Sequence, residues 1–215
     1  MHRLLSFSRQ QTLKPSAVEL DALTTSLQHL LNWILGEQIN LICDVASDVS
    51  SVFCDRSELE SCIVNLAVNA RDAMPNGDSF KIEASDVSVD SELAATQPGL
   101  VPGDYVLLTL SDTGAGMTNA TKERIFEPFF TTKGEGKGSG LPMVYGFVKQ
   151  SGGHVAVSSE LGRGTTFRLY LPRATASTEA IEEVVESPVA GMQGGKVYDD
   201  NYSVRLTTTT LAGCP

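Results

Sequence analysis

Two amides and a carboxylate stand at helical spacing in the segment 65–72. Asn65 and Asn69 are four residues apart and Asp72 follows three residues later, so one face of a helix would carry all three side chains. Amide oxygens are suitable ligands for Mg²⁺, which takes oxygen donors and often keeps water and substrate phosphates in its shell. A solvated helix face has the same composition, so this segment alone leaves a metal–phosphate site and an ordinary surface as alternatives.

A second carboxylate, Asp112, follows the apolar run 106–111 and precedes a turn that contains Gly114 and Gly116. At the end of a strand, a carboxylate can accept a hydrogen bond from an exocyclic amine such as that of adenine. The two glycines permit a tight turn and a close approach of the backbone to a flat ring. Asp-Thr-Gly is also an ordinary turn sequence, and the motif by itself does not separate these two interpretations.

The third candidate is the glycine-rich segment 133–141, which leads into a predicted helix. Exposed amides at a glycine loop and at a helix N-terminus bind phosphate oxygens, and Lys133 and Lys137 would supply positive charge. Between residues 118 and 141, four basic residues face three acidic ones, within a chain whose net charge is −10. This local excess suits a lid over a triphosphate, and a flexible surface loop is the alternative.

Helices and strands that alternate along the chain must position these motifs. Apolar residues at helical spacing predict helices over 20–35 and 141–150, and Asp55 with Glu58 three residues on predicts the start of a helix that runs to Met74. Residues 1–11 are predicted to end a helix that Pro15 stops, and 118–140 are predicted to be mobile. Strands are predicted at 39–45, 52–54, 80–89, 105–110, 154–158 and 165–171.

Composition limits the classes of partner. The 215 residues are 41% hydrophobic, enough for one good-sized domain with tails or for two small ones. A net charge of −10 argues against nucleic acid or an anionic membrane as the main partner. No membrane span or signal peptide is predicted, so we expect a cytoplasmic segment without membrane contact. The cysteines lack the spacing of zinc ligands and are predicted to be reduced thiols: Cys43, Cys54, Cys62 and Cys214.

Taken in order, the motifs resemble the catalytic ATP-binding domain of sensor histidine kinases, in the superfamily that includes gyrase, the heat-shock chaperone and MutL ATPases. The resemblance covers residues 16–173 and implies an α+β fold, a two-layer sandwich of the Bergerat type with a mixed sheet backed by helices. The matching segments are 65–72 (N box), 112–117 (first glycine box), 126–133 (phenylalanine box), 136–141 (second glycine box) and 162–167 (last strand motif).

The resemblance also implies a role for each motif residue in binding ATP and Mg²⁺. Asp112 would contact the adenine amine and Thr165 would support the adenine end. Asn69 would bind Mg²⁺, Asn65 would lie near the phosphates as the catalytic residue, and residues 118–140 would form the lid. The other nucleotide-binding residues implied are Asp72, Gly114, Gly116, Met117, Thr131, Thr132, Lys133, Gly136, Gly138, Gly140 and Leu141.

Two departures from the family pattern bear on activity. The second glycine box is two residues short, as though one Gly-Leu pair were missing before Pro142. No histidine resembles the phosphoacceptor of the family: His2 precedes Arg3, His29 lies inside a predicted helix, and His154 begins a strand. The predicted function is therefore a catalytic domain that donates the γ-phosphoryl group to a histidine on a dimerisation hairpin not contained in this chain.

Two other functions are weighed against that prediction. One is a degenerate domain that binds nucleotide or a partner protein without phosphotransfer, which the short glycine box favours. The other is a self-sufficient ATPase of the chaperone or gyrase type. Those families place a glutamate as general base where this chain has Asn65, which disfavours the second alternative.

The flanking segments suggest a larger parent protein. Residues 1–15 would be the remnant of the second hairpin helix, and 174–195, with four acids and no base, would be a linker. Residues 196–215 are either the truncated start of a response-regulator receiver domain, with Asp199 and Asp200 as its acidic pair, or a disordered tail. The predicted partners are ATP, the histidine-bearing hairpin and a receiver domain.

Overall fold

Seven strands and five helices make up the described part of the computed structural model, which comprises residues 14–131 and 140–175. Predictions for the hairpin remnant before residue 14, the linker after residue 175 and the receiver-like tail lie outside these residues. In chain order the elements are β1 Pro15–Val18, α1 Leu20–Leu35, β2 Ile39–Val45, β3 Val52–Asp55, α2 Arg56–Ala73, β4 Asp78–Val89, α3 Ser91–Thr96, β5 Gly103–Asp112, α4 Asn119–Lys122, α5 Gly140–Gln150, β6 His154–Glu160 and β7 Gly164–Pro172.

A five-stranded mixed sheet forms one layer of the domain, in the order β2-β4-β5-β7-β6. Strands β2 and β4 are parallel, and the other neighbours are antiparallel. Helices α1, α2 and α5 pack on one face of this sheet and enclose the main core. The predicted two-layer α+β sandwich is confirmed.

The alternation of β5 directs Asp112 toward the helical layer. Val106, Leu108 and Leu110 are all buried in the core between the sheet and the helices. Because successive strand side chains point to opposite faces, Asp112 lies on the same face as these three residues. Its carboxylate is therefore held at the end of a buried strand.

Helix α2 begins as the sequence predicts. The Asp55 carboxylate accepts hydrogen bonds from the backbone N–H groups of Ser57 at 2.9 Å and Glu58 at 3.2 Å, an N-cap worth about 1 kcal/mol. The apolar face of the helix is buried, and the side-chain amides of Asn65 and Asn69 lie on another face. The buried residues are Leu59, Cys62, Ile63, Leu66, Ala67 and Ala70.

Three elements were not expected from the sequence. Strand β1 begins at Pro15, where a helix stop was predicted, and it pairs with β3 in a separate two-stranded sheet. A proline is tolerated there because it is the first residue of a short strand. Helix α3 is capped by Asp90. Residues 118–131 contain α4 and the buried Ile125, so they are more structured than the predicted loop.

The described cysteines carry free thiols, with Cys43 exposed and Cys54 and Cys62 buried, whereas Cys214 lies outside these residues. Burial raises the pKa of the Cys54 thiol to about 12. In the part of the chain that the structure describes, no helix has the length and hydropathy needed to cross a membrane.

Candidate functional site

A cleft of about 320 Å³ opens where the ends of α2 and β5 meet the start of β7 and the start of α5. Nine of the predicted binding residues line it, drawn from segments that are far apart in the sequence. These residues are Asn69, Asp72, Asp112, Gly116, Met117, Thr131, Gly140, Leu141 and Thr165.

Two predicted residues lie beside the cleft instead of lining it. Asn65 borders it, because a Cβ atom added to Gly140 would stand 3.5 Å from the Asn65 Oδ1 atom. Gly114 lies in the first glycine turn, residues 112–117, and packs against the end of α2: an added Cβ would lie 2.6 Å from the Ala73 carbonyl oxygen. The four remaining predicted residues lie outside the described part of the chain: Thr132, Lys133, Gly136 and Gly138.

Asp112 is held by backbone donors on one oxygen only. Its Oδ1 atom accepts hydrogen bonds from the N–H of Gly114 at 2.9 Å and of Thr165 at 3.2 Å. Burial raises the pKa of this carboxyl group, and the two N–H donors partly offset that effect. Within the described residues the Oδ2 atom has no hydrogen-bond donor, so it is the acceptor available to a ligand.

Glycines bring the first glycine turn and the β6–β7 hairpin into contact. Gly116 has φ of +66° and Gly164 has φ of +90°, a region that L side chains rarely adopt. A Cβ atom on Gly116 would meet the Glu160 carbonyl oxygen, and one on Gly164 would meet that of Asp112. The backbone of the cleft is therefore packed too closely to accept any side chain at these two positions.

Ser159 joins the same two segments and was missed by the sequence predictions. Its Oγ atom accepts a hydrogen bond from the Met117 N–H at 2.8 Å and donates to the Gly164 carbonyl at 2.9 Å. It also lies 3.0 Å from the Thr165 Oγ1 atom. A three-residue loop between β6 and β7 would have placed Ser159 opposite Thr165, and this register was the only signal in the sequence.

Apolar side chains that the predictions did not name individually complete the walls. Ile125 and Phe167 are almost fully buried, and Phe130 has the Arg124 guanidinium 4.5 Å above its ring centre. Flat apolar walls beside a few polar groups are typical of sites for aromatic ligands. The other lining residues are Ala73, Ala115, Thr121, Ile125, Phe130 and Phe167, of which all but Ala73 lie within the predicted motifs or the predicted lid.

The other end of the cleft carries the oxygen donors of α2 and the start of α5. Asp72 is engaged by its neighbour Arg71, whose Nη2 atom lies 2.9 Å from Oδ1. The described residues contain no group of three or more His, Cys, Asp or Glu side chains placed to hold a metal ion. This absence does not suit a metal held by protein ligands alone, whereas an amide oxygen such as that of Asn69 is a suitable ligand for an Mg²⁺ ion that arrives with phosphates.

Residues 54–175 match the model of the family described as histidine kinase-, DNA gyrase B-, and HSP90-like ATPase. The chain is 40% identical over 217 residues to the sensor kinase CckA of Brucella abortus, covering 96% of this chain and 23% of that protein. It is 30% identical over 168 residues to the sensor histidine kinase ZraS of Escherichia coli, covering 75% of this chain and 33% of that protein. The chain thus spans less than two thirds of the length of these curated relatives.

Solved structures show the same fold. ShkA, in a full-length complex with AMPPNP, is similar with a TM-score of 0.61 and 28% identity, over 76% of this chain and 32% of that one. The catalytic domain of the histidine kinase ThkA, in a nucleotide-free form, is similar with a TM-score of 0.54 and 22% identity. That match covers 74% of this chain and 96% of the ThkA domain.

Proposed function

This chain belongs to the histidine kinase-, DNA gyrase B-, and HSP90-like ATPase family, and from that premise we propose that its cleft binds ATP with Mg²⁺ and presents the γ-phosphoryl group to a histidine on a separate dimerisation hairpin. It contains the ATP-binding domain of the sensor histidine kinase type. The observation that carries the proposal is the buried Asp112, which lines the cleft with Oδ1 held by two backbone donors, while Asn69 of α2 and the start of α5 line the same cleft.

At one end of the cleft, Asp112 accepts a hydrogen bond from the exocyclic amine of adenine. Thr165 lies directly opposite Asp112 in the β5–β7 register and extends the polar edge next to the base. The ring lies against the apolar walls formed by Ile125, Phe130 and Phe167. Gly116 and Met117 bring backbone close to the base because no side chain intervenes at the glycine.

At the other end, Asn69 holds Mg²⁺ through its amide oxygen and the N-terminus of α5 receives phosphate oxygens at Gly140 and Leu141. When bound, Mg²⁺ neutralises negative charge on the phosphates. Asn65, next to Gly140, orients the terminal phosphates. Phosphoryl transfer depends mainly on positioning and charge neutralisation. These residues therefore position ATP as the phosphoryl donor and hold the ion that neutralises its charge.

The acceptor and the regulator partner belong to the proposal as well. Similarity to CckA covers 96% of the chain, so it extends beyond residues 54–175 at both ends. This supports the proposal that the segments on either side belong to a larger sensor kinase, with the hairpin before the domain and a receiver after it. We place the segment in the cytoplasm, where ATP is available as the donor.

Radiolabelled ATP tests the proposal. The chain is incubated with [γ-³²P]ATP, Mg²⁺ and a separately produced dimerisation hairpin of a histidine kinase that carries its histidine. Label on the hairpin supports phosphotransfer, and a hairpin with the histidine replaced by alanine is the control. Free phosphate alone would indicate a self-sufficient ATPase. Neither product, together with no binding heat for ATP and Mg²⁺, would refute the proposal.

A degenerate domain is the second candidate, and one observation favours it. Only Leu141 separates Gly140 from Pro142, whereas the family pattern has a further Gly-Leu pair at this place. Loss of two residues would remove a backbone phosphate contact at the start of α5. ATP binding in calorimetry without any transfer to the hairpin would select this candidate.

A further inference from the structure

Two successive tight turns lead from the end of α4 to the apolar wall of the cleft. The Glu127 N–H donates to the Arg124 carbonyl at 2.9 Å, and the Phe130 N–H donates to the Glu127 carbonyl at 3.1 Å. Turns of this kind bring together residues that are three positions apart in the chain. Arg124, Glu127 and Phe130 therefore lie close together, and Phe130 is the member that lines the cleft.

The Arg124 guanidinium lies between a carboxylate and an aromatic ring. Its Nε atom is 3.0 Å from the Glu127 Oε2 atom, and its central carbon is 4.5 Å from the centre of the Phe130 ring. A cation at this distance is attracted by the negative face of the ring. The hydrogen bond to Glu127 holds the planar guanidinium in place, so the same group also restrains the ring.

The backbone at Phe129 explains why the next residue needs such a restraint. Phe129 has φ of +67°, a conformation that bulky side chains rarely adopt and that surrounding contacts must maintain. The Phe129 side chain is 81% exposed, whereas that of Phe130 is partly buried and packs against the core. Relaxation of the backbone at Phe129 would move the Phe130 ring out of the wall, and the contact with Arg124 opposes that movement.

We propose that Arg124 is a positioning residue for nucleotide binding: with its guanidinium fixed by Glu127, it holds the Phe130 ring in the wall of the cleft. The inference rests on the proposed ATP site and adds a residue that does not line the cleft itself. The wall contacts ATP both before and during transfer of the phosphoryl group. Arg124 therefore acts on the affinity for ATP and not on the rate of the chemical step.

Arg124→Ala removes the cation from an exposed side chain. We expect the dissociation constant for ATP with Mg²⁺ to rise about threefold, the effect of one exposed cation–π contact. In transfer to the hairpin, KM for ATP should rise by the same factor while kcat stays the same. Arg163→Ala is the matched control, because Arg163 forms an exposed ion pair with Glu160, also three residues away, at 3.1 Å. Among the described residues, Arg163 has no aromatic ring beneath it, and its loss should leave both constants unchanged.

Two further variants identify the cation and the ring as the interacting groups. Arg124→Gln keeps a long polar side chain without the charge, and it should weaken ATP binding as much as Arg124→Ala does. In a Phe130→Leu background, Arg124→Ala should cause no further loss of affinity, because the ring through which it acts is gone.

The outcomes separate this inference from the proposed ATP site. An unchanged dissociation constant for Arg124→Ala, an equal loss in the wild-type and Phe130→Leu backgrounds, or a fall in kcat without a rise in KM would overturn the inference alone. A wild-type chain that binds no ATP would overturn the proposed ATP site and the inference with it.

Discussion

The two ends of the cleft are built in different ways. At the base end, Asp112, Thr165 and Ser159 are neighbours on three hydrogen-bonded strands, and their positions follow from one register. At the phosphate end, Asn69 belongs to α2 and Gly140 to α5, two helices that pack against each other. We infer that the sheet fixes recognition of the base, whereas phosphate binding depends on how two helices lie against each other.

The largest effect is expected from Gly116→Ala, which disrupts the backbone packing at the base end. The residue has φ of +66°, and a Cβ atom would meet the Glu160 carbonyl, so the first glycine turn must separate from the β6–β7 hairpin. We expect a loss of roughly 3 kcal/mol or more in the free energy of unfolding, measured by urea denaturation.

Gly162→Ala is the control for that variant. Gly162 has a similar φ of +75°, but nothing lies within 4 Å of an added Cβ atom. Only the backbone preference is lost there, at a cost of about 1–2 kcal/mol. Equal destabilisation by the two substitutions would show that contact between the turn and the hairpin contributes nothing.

Asp112→Asn should separate recognition from stability at the base end. If the asparagine oxygen keeps the two backbone donors, its amide NH₂ faces the cleft and opposes the amine of adenine. We expect ATP affinity to fall about 100-fold, in line with loss of a hydrogen bond to a charged group, as measured by calorimetry. Asp104→Asn, on the same strand but exposed, is the control; an unchanged ATP affinity for Asp112→Asn would exclude this carboxylate from the site.

Asp112→Asn also tests how this carboxyl group makes the free energy of unfolding depend on pH. Burial raises the pKa of Asp112 in the folded chain above its ordinary value of 3.8, so the folded state binds the proton more tightly than the unfolded state. Its contribution to stability is present below that ordinary value and is lost as the pH rises through the raised pKa. As the pH rises through this window, the free energy of unfolding of Asp112→Asn should increase relative to that of the wild type. Unfolding measurements at a series of pH values test this. The opposite trend would contradict the prediction.

Several features that position the cleft could be predicted from local sequence. The Asp55 cap, the apolar face of α2 and the alternation that ends at Asp112 each depend on residues a few positions apart, and the structure shows all three. The role of Ser159 could not be predicted in the same way. It depends on pairing between β6 and β7, and a slip of one residue would turn the side chain to the other face.

The wall residues could not be named individually, and the separate small sheet was missed, for a related reason. Ile125 follows a charged, threonine-rich stretch that is typical of a loop, and only its burial in the folded domain identifies it as a wall. Strand β1 is stabilised by pairing with β3, about 37 residues away in the chain. Contacts that join distant segments leave no periodic pattern in either segment alone.

Asn69→Ala tests the phosphate end with a smaller effect. Loss of the proposed Mg²⁺ ligand should weaken ATP binding about tenfold when Mg²⁺ is present, the effect of roughly 1.4 kcal/mol. Binding without Mg²⁺ should change little, and calorimetric titrations in both conditions measure the difference. Asn40→Ala, on β2 and outside the cleft, is the control. Equal weakening with and without Mg²⁺ would contradict a metal role for Asn69.

The smallest effect is expected from Gly146→Ala in α5, the helix whose first residues border the phosphate end. An added Cβ atom meets nothing within 4 Å there, and the residue is helical. The substitution should raise the free energy of unfolding by about 0.5–1 kcal/mol, because alanine loses less backbone freedom than glycine on folding. ATP affinity should stay the same or rise slightly, whereas the loss of ATP affinity caused by Asp112→Asn should be the same in this variant as in the wild type, since the sheet fixes the base end. A different loss in the two backgrounds would show that the two ends of the cleft are coupled and would remove the distinction between them.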